Sequence, residues 1–169
     1  MCYYYTSLLG SLVHNEKYKE VFIVLLQNTV HILHPLTLPF SLQGNAHVIY
    51  NGSFYYNQNG SANIVRYVLD KNISYSLNAP LVATTGNNYL YTTNYSYMDF
   101  SVDENGLWVI YGIPSSNHTV VMKVNTIQTM EIEYMWNISI KHHLFGEMFV
   151  ACGVLYAIDS TTERNSKIR

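Results

Sequence analysis

Apolar and polar positions in this chain alternate with a period of two, in short runs divided by turn residues. His47-Val-Ile-Tyr50, then Asn51-Gly52, then Ser53-Phe-Tyr-Tyr56 predicts two strands around a two-residue turn. Asn-Gly between such runs is a strong hairpin signal, because both residues reach positive φ at little cost. The unit returns at Phe100 to Tyr111, around Asn105-Gly106, and again at Met148 to Ala157, around Cys152-Gly153. Further strands are predicted after the first hairpin at Ile64–Leu69, with Arg66 pointing outward, and at Ile73–Leu77. After the second hairpin they are predicted at Val120–Val124 and Met130–Ile140.

The turn glycines stand at 52, 106 and 153. Four-strand units with a period of roughly 40 to 50 residues predict propeller blades. A β-sandwich would not repeat one hairpin at so long and even a spacing. The expected fold is therefore all-β, a partial β-propeller of two to three blades, with residues 36–169 forming the propeller part. A ring closes with about four blades or more, so the chain reads as a fragment whose polar stretch Ser160–Lys167 starts the next loop. Residues 1–35 read as an irregular N-terminal segment. Within it Tyr18–Gln27 is a strand or a short buried helix, and Ile32–Pro39, interrupted by Pro35 and Pro39, is an extended edge or connector.

Composition agrees with this fold and removes several functions. The 169 residues are 49% hydrophobic and include 16 Tyr, which suits pleated, half-buried surfaces. Only 12% are charged and the net charge is -2, so no basic face for nucleic acid is available. Val21–Leu26 falls well short of the ~20 apolar residues of a membrane-spanning helix. No basic leader precedes the mildly apolar Leu8–Val13, so either secretion is not intended or the true amino terminus lies upstream.

Six Asn-x-Ser/Thr sequons occur, at Asn51, Asn59, Asn72, Asn94, Asn117 and Asn137. With 17 Asn and 26 Ser plus Thr in the chain, chance gives about 2.6. The excess points to a glycosylated, secreted protein; the plainer account is an Asn-rich β protein with many polar turns. Cys2 and Cys152 stand far apart and form no metal-type spacing, which leaves either one disulfide or a buried thiol at Cys152.

Leu38 to Tyr56 followed by Asn63-Ile-Val-Arg-Tyr67, the run Met98-Asp-Phe-Ser-Val-Asp-Glu-Asn-Gly-Leu-Trp-Val-Ile-Tyr111, and Phe149-Val-Ala-Cys-Gly-Val-Leu-Tyr156 together resemble the olfactomedin domain. The three motifs occur in the family's order and cover about residues 36 to 160. The resemblance implies a five-bladed propeller that is extracellular, glycosylated and non-catalytic. It also implies a role in adhesion, matrix assembly or receptor recognition, through contact with extracellular or cell-surface proteins, and homo-oligomers formed through regions upstream. It further implies a calcium ion in the central channel. Asp99 matches one family ligand, and Glu147 and the Met148 backbone carbonyl stand at the next two positions; a hard cation seeks such oxygens. The family's last Asp ligand belongs to a later blade, so this chain alone is not expected to hold calcium tightly. The family's disulfide maps onto Cys152, with Cys2 as the available partner.

Catalysis has little to rest on. The alternative is a propeller-fold carbohydrate-active hydrolase or lyase, which needs two facing carboxylates. Asp103 and Glu104 are adjacent, and strand neighbours face opposite sides. His142-His143 shares that alternation, and His14, His31, His34, His47 and His118 show no ligand spacing. The tyrosines read in two ways. Tyr55 and Tyr56 suit strand packing, while Tyr89, Tyr91, Tyr95 and Tyr97 suit either packing or a protein-binding surface.

Overall fold

The computed structural model describes residues 20–27, 30–92 and 95–169, with side chains from residue 37 onward. A hairpin pairs β1 (Glu20–Gln27) with β2 (Val30–Thr37). Residues 20–27 therefore form a strand and not a helix. Pro35 lies inside β2 opposite Phe22; a two-stranded sheet has two edges, where a proline's missing N–H is tolerated. The expected interruption there begins only after Thr37.

Two four-stranded antiparallel sheets follow, each in sequential order. The first holds β3 (Leu42–Tyr50), β4 (Ser53–Gln58), β5 (Asn63–Val68) and β6 (Ile73–Asn78). The second holds β7 (Met98–Asp103), β8 (Gly106–Ile113), β9 (His118–Asn125) and β10 (Glu131–Lys141). After a short 3-10 turn at His142–Leu144 comes the hairpin of β11 (Glu147–Ala151) and β12 (Val154–Ile158). Residues 167–169 return alongside β12, with Arg169 N–H donating to Ala157 O at 2.8 Å and Ala157 N–H donating to Arg169 O at 3.0 Å. This is the all-β, blade-by-blade pattern of a partial propeller.

Turn chemistry sets each unit's register. Asn51 (φ 45°) with Gly52 (φ 70°), and Cys152 (φ 53°) with Gly153 (φ 71°), have both turn residues left-handed, as the right-handed strand twist favours. The middle hairpin differs from expectation. Asp103 pairs with Gly106, so Glu104 and Asn105 make the turn and Gly106 (φ 118°) opens β8. The Asp103 carboxylate takes the Asn105 N–H at 2.9 Å, a local bond that holds such a turn.

The first strands of the units, β3, β7 and β11, lie side by side with β7 in the middle. Apolar faces pack between the sheets. Tyr55, Ile64 and Val48 meet Leu107, Val109 and Met122 in one seam. Trp108, Ile110 and Val121 meet Met148, Val150 and Ala157 in the next. Phe54 and Tyr56 are buried on the other face of the first sheet, so the strand-packing reading holds for Tyr55 and Tyr56. Arg66 does not point outward. It is buried, donating from Nε to Ser53 Oγ at 3.1 Å and from one terminal nitrogen to the carbonyls of Thr126 (2.8 Å) and Gln128 (3.2 Å). The guanidinium spans from β5 to the β9–β10 loop, where carbonyl dipoles offset the cost of burying its charge.

Candidate functional site

The first strands β3, β7 and β11 neighbour one another but belong to separate sheets and form no ladder together, so other groups must satisfy their facing backbone. Between β7 and β11 the side chains of alternate β7 residues do this, because Asp99, Ser101 and Asp103 share one face. Ser101 Oγ accepts from Val150 N–H and donates to Val150 O, both at 3.0 Å. Asp103 accepts from Gly153 N–H at 2.8 Å and from Trp108 Nε1 at 2.7 Å. Burial would raise the Asp103 carboxyl, but the Trp108, Gly153 and Asn105 bonds outweigh it and hold it below the usual range.

Asp99 completes the row through an intermediary. The Tyr91 hydroxyl donates to Asp99 Oδ2 at 2.5 Å and accepts from Met148 N–H at 2.9 Å, with Met148 O 3.2 Å away. One hydroxyl hydrogen cannot serve both acceptors. Asp99 Oδ1 takes the Phe100 N–H at 2.7 Å. Burial raises the Asp99 carboxyl to about 6; the Tyr91 and Phe100 bonds oppose this and the Glu147 charge adds to it. Burial, with the Asp99 charge behind it, pushes the Tyr91 phenol well above its ordinary range.

Asp99, Glu147 and Met148 are thus brought together at the start of β7 and β11. The donors are oxygens alone, a set suited to a hard cation. Among the described residues no Lys or Arg forms an ion pair with Asp99, and no group of three or more His, Cys, Asp or Glu stands together. Among the described residues the half-buried carboxylate therefore has no cationic partner, and the Met148 carbonyl competes with it for a single hydroxyl. These residues fit a calcium ion as part of a larger set.

For Tyr91 the packing alternative holds, and the structure adds a hydrogen-bonding role that the sequence did not reveal. Its ring is buried at the seam and its hydroxyl bridges Asp99 and Met148. Its signal was proximity to Asp99, which only the folded loop reveals. Tyr97 is also buried, donating to Gly86 O at 2.8 Å and stacked on Tyr89, whereas Tyr95 is exposed. His142 is buried against Leu90 O at 2.6 Å, and His143 meets it edge-on. Glu104 is exposed while Asp103 is buried, so these two form no facing pair.

The sequons fall in several settings. Asn51, Asn59, Asn72 and Asn117 are exposed in turns, Asn137 is exposed within β10, and Asn94 lies outside the described residues. Cys152 occupies the β11–β12 turn and is not a free thiol; Cys2 lies outside the described residues.

The olfactomedin-like domain profile matches residues 3–169. The chain belongs to the olfactomedin-like domain family. The match extends well upstream of residue 36 and takes in the β1–β2 hairpin. Relatives of this olfactomedin-like chain include myocilin of Canis lupus familiaris, 31% identical over 132 residues, and myocilin of Oryctolagus cuniculus, 28% identical over 132 residues. Each alignment covers 78% of this chain and 27% of the relative, so the chain spans well under half the length of the curated relatives it matches. No helix among the described residues is long and apolar enough to cross a membrane.

Proposed function

We propose that this olfactomedin-like chain works outside the cell as a non-catalytic recognition module, presenting loops on rigid blades to a protein at a cell surface or in the matrix. Family membership over residues 3–169 is the observation that carries this reading. Sequons exposed on several turns support passage through the secretory pathway, with glycans on these asparagines. The absence of a free thiol at Cys152 supports a bridge to Cys2. Adhesion or matrix assembly, with assembly into homo-oligomers through upstream regions, is the finer role proposed.

Calcium is proposed as a structural ion at the Asp99, Glu147 and Met148 oxygens, where it would supply the missing positive charge. The test is thermal unfolding with calcium or with chelator. Wild type should melt several degrees higher in calcium, and Asp99→Asn should lose most of that gain. Equal gains in both would overturn the site.

For recognition, the secreted chain is applied to intact cells. Saturable binding that disappears after surface proteolysis, with no sugar released from an oligosaccharide panel, is the expected result. Sugar release that stops in Asp99→Asn or Glu147→Gln would overturn the non-catalytic reading in favour of a hydrolase or lyase.

A further inference from the structure

We propose that an N-glycan on Asn137 shields the open edge of β10 from pairing with another chain. The proposal rests on the extracellular reading above. Among the described residues β10 is the outermost strand of its sheet and pairs with β9 alone, which leaves one row of its N–H and C=O groups without a ladder partner there. At 11 residues it is the longest described strand, and it is exposed along almost its whole length. Such an edge is a template for intermolecular pairing unless charges, prolines or bulges blunt it.

The guards on β10 sit at its ends. Register shifts interrupt the ladder between Ile132 and Tyr134 and between Ile138 and Lys141, and the charged Glu131, Glu133 and Lys141 lie outside the regular stretch. Between them Tyr134–Ile138 runs in unbroken register and carries Tyr134, Met135 and Trp136, which are 55%, 47% and 44% exposed. Tyr134 and Trp136 stack with ring centroids 5.5 Å apart, forming a flat aromatic ledge. This stretch has the apolarity and lack of charge of the five- to seven-residue windows prone to self-pairing. Its one polar residue is Asn137.

Asn137 is suited to carry the shield. Its side chain is exposed, and its Oδ1 lies 3.1 Å from His118 Nδ1, so the amide nitrogen that would bear the sugar faces away from that contact. The sequon's hydroxyl residue, Ser139, is exposed too. In contrast, Ser53 of the Asn51 sequon and Thr119 of the Asn117 sequon are buried and hydrogen-bonded. A bulky, solvated sugar within the regular stretch, next to Trp136, would overhang an edge where strands must approach to about 4.8 Å.

The test is secretion from a eukaryotic host of the wild type, Asn137→Gln, Ser139→Ala and, as a control, Asn59→Gln. Gel mobility reads occupancy, and sedimentation over a range of concentrations reads assembly. Ser139→Ala removes the sequon while keeping the Asn137–His118 contact, so a folding defect special to Asn137→Gln would not mislead. Both variants should lose one glycan step and form concentration-dependent oligomers, and adding Trp136→Lys should return them to the wild-type state. Loss of the glycan without new assembly would overturn the proposal. A mobility step for Asn59→Gln but none for either Asn137-sequon variant would overturn this proposal alone. No step for any variant would overturn the extracellular reading with it.

Discussion

Tyr91 shows how much one hydroxyl can hold. It satisfies the Asp99 carboxylate and the Met148 N–H at once, and so ties the start of β7 to the start of β11 where no ladder does. Tyr91→Phe keeps the ring and its packing but strands both partners, and a buried unsatisfied group costs about 1–3 kcal/mol. Its melting temperature in chelator should fall by several degrees. An unchanged melting temperature would mean that solvent replaces the hydroxyl without loss. Ser101 has the same two-way arrangement on Val150, which makes Ser101→Ala a matched comparison for the seam.

At the scale of elements, close approach between segments decides where side chains are forbidden. Gly112 in β8 lies under the His142 ring, and a Cβ there would stand 2.2 Å from His142 Nε2. Gly112 has no positive φ, so the cost of Gly112→Ala is steric and not a backbone penalty. The ring is held from the far side by Leu90 O and has little room to retreat, so the substitution should destabilise by about 1–3 kcal/mol, as overpacking generally does. Combined with His142→Ala the two effects should be clearly less than additive, because contacting residues couple. Additive losses in a double-mutant cycle of chemical unfolding would show that the His142 contact is not the cause.

Across the whole molecule, buried titratable groups pull the acid response in opposite directions. Burial lowers His47 to about 4 and also lowers His142. A histidine depressed in the folded state stabilises above its ordinary value near 6.5, and that contribution is lost as pH falls toward 4. Asp99 does the reverse. Raised by burial to about 6, it contributes stability that is complete below its ordinary value near 4 and is lost as pH climbs to about 6. In chelator, therefore, the wild type should gain on Asp99→Asn between pH 6 and pH 4, by up to about 3 kcal/mol from the two-unit shift. A difference in melting temperature that stays constant over this range would overturn the buried-carboxylate account.

Strand period, turn residues and the spacing of three hairpins were local properties, and they were enough to give the all-β class, the repeat unit and the core role of Tyr55 and Tyr56. The Asp99 motif was readable too, since a contiguous stretch carries it. What stayed hidden depended on which segments meet after folding. Arg66 alternates as an outward residue within β5, yet the β9–β10 loop closes over it with two carbonyls. Tyr91 looked like its neighbours in a Tyr-rich loop until the loop set it beside Asp99 and Met148. Pro35 broke the pattern of a strand and is tolerated because that sheet has only two strands. A single chain fixes the period of its side chains by backbone geometry, whereas burial, countercharge and hydrogen-bond partners are set by distant residues that only the tertiary structure brings within a few ångströms.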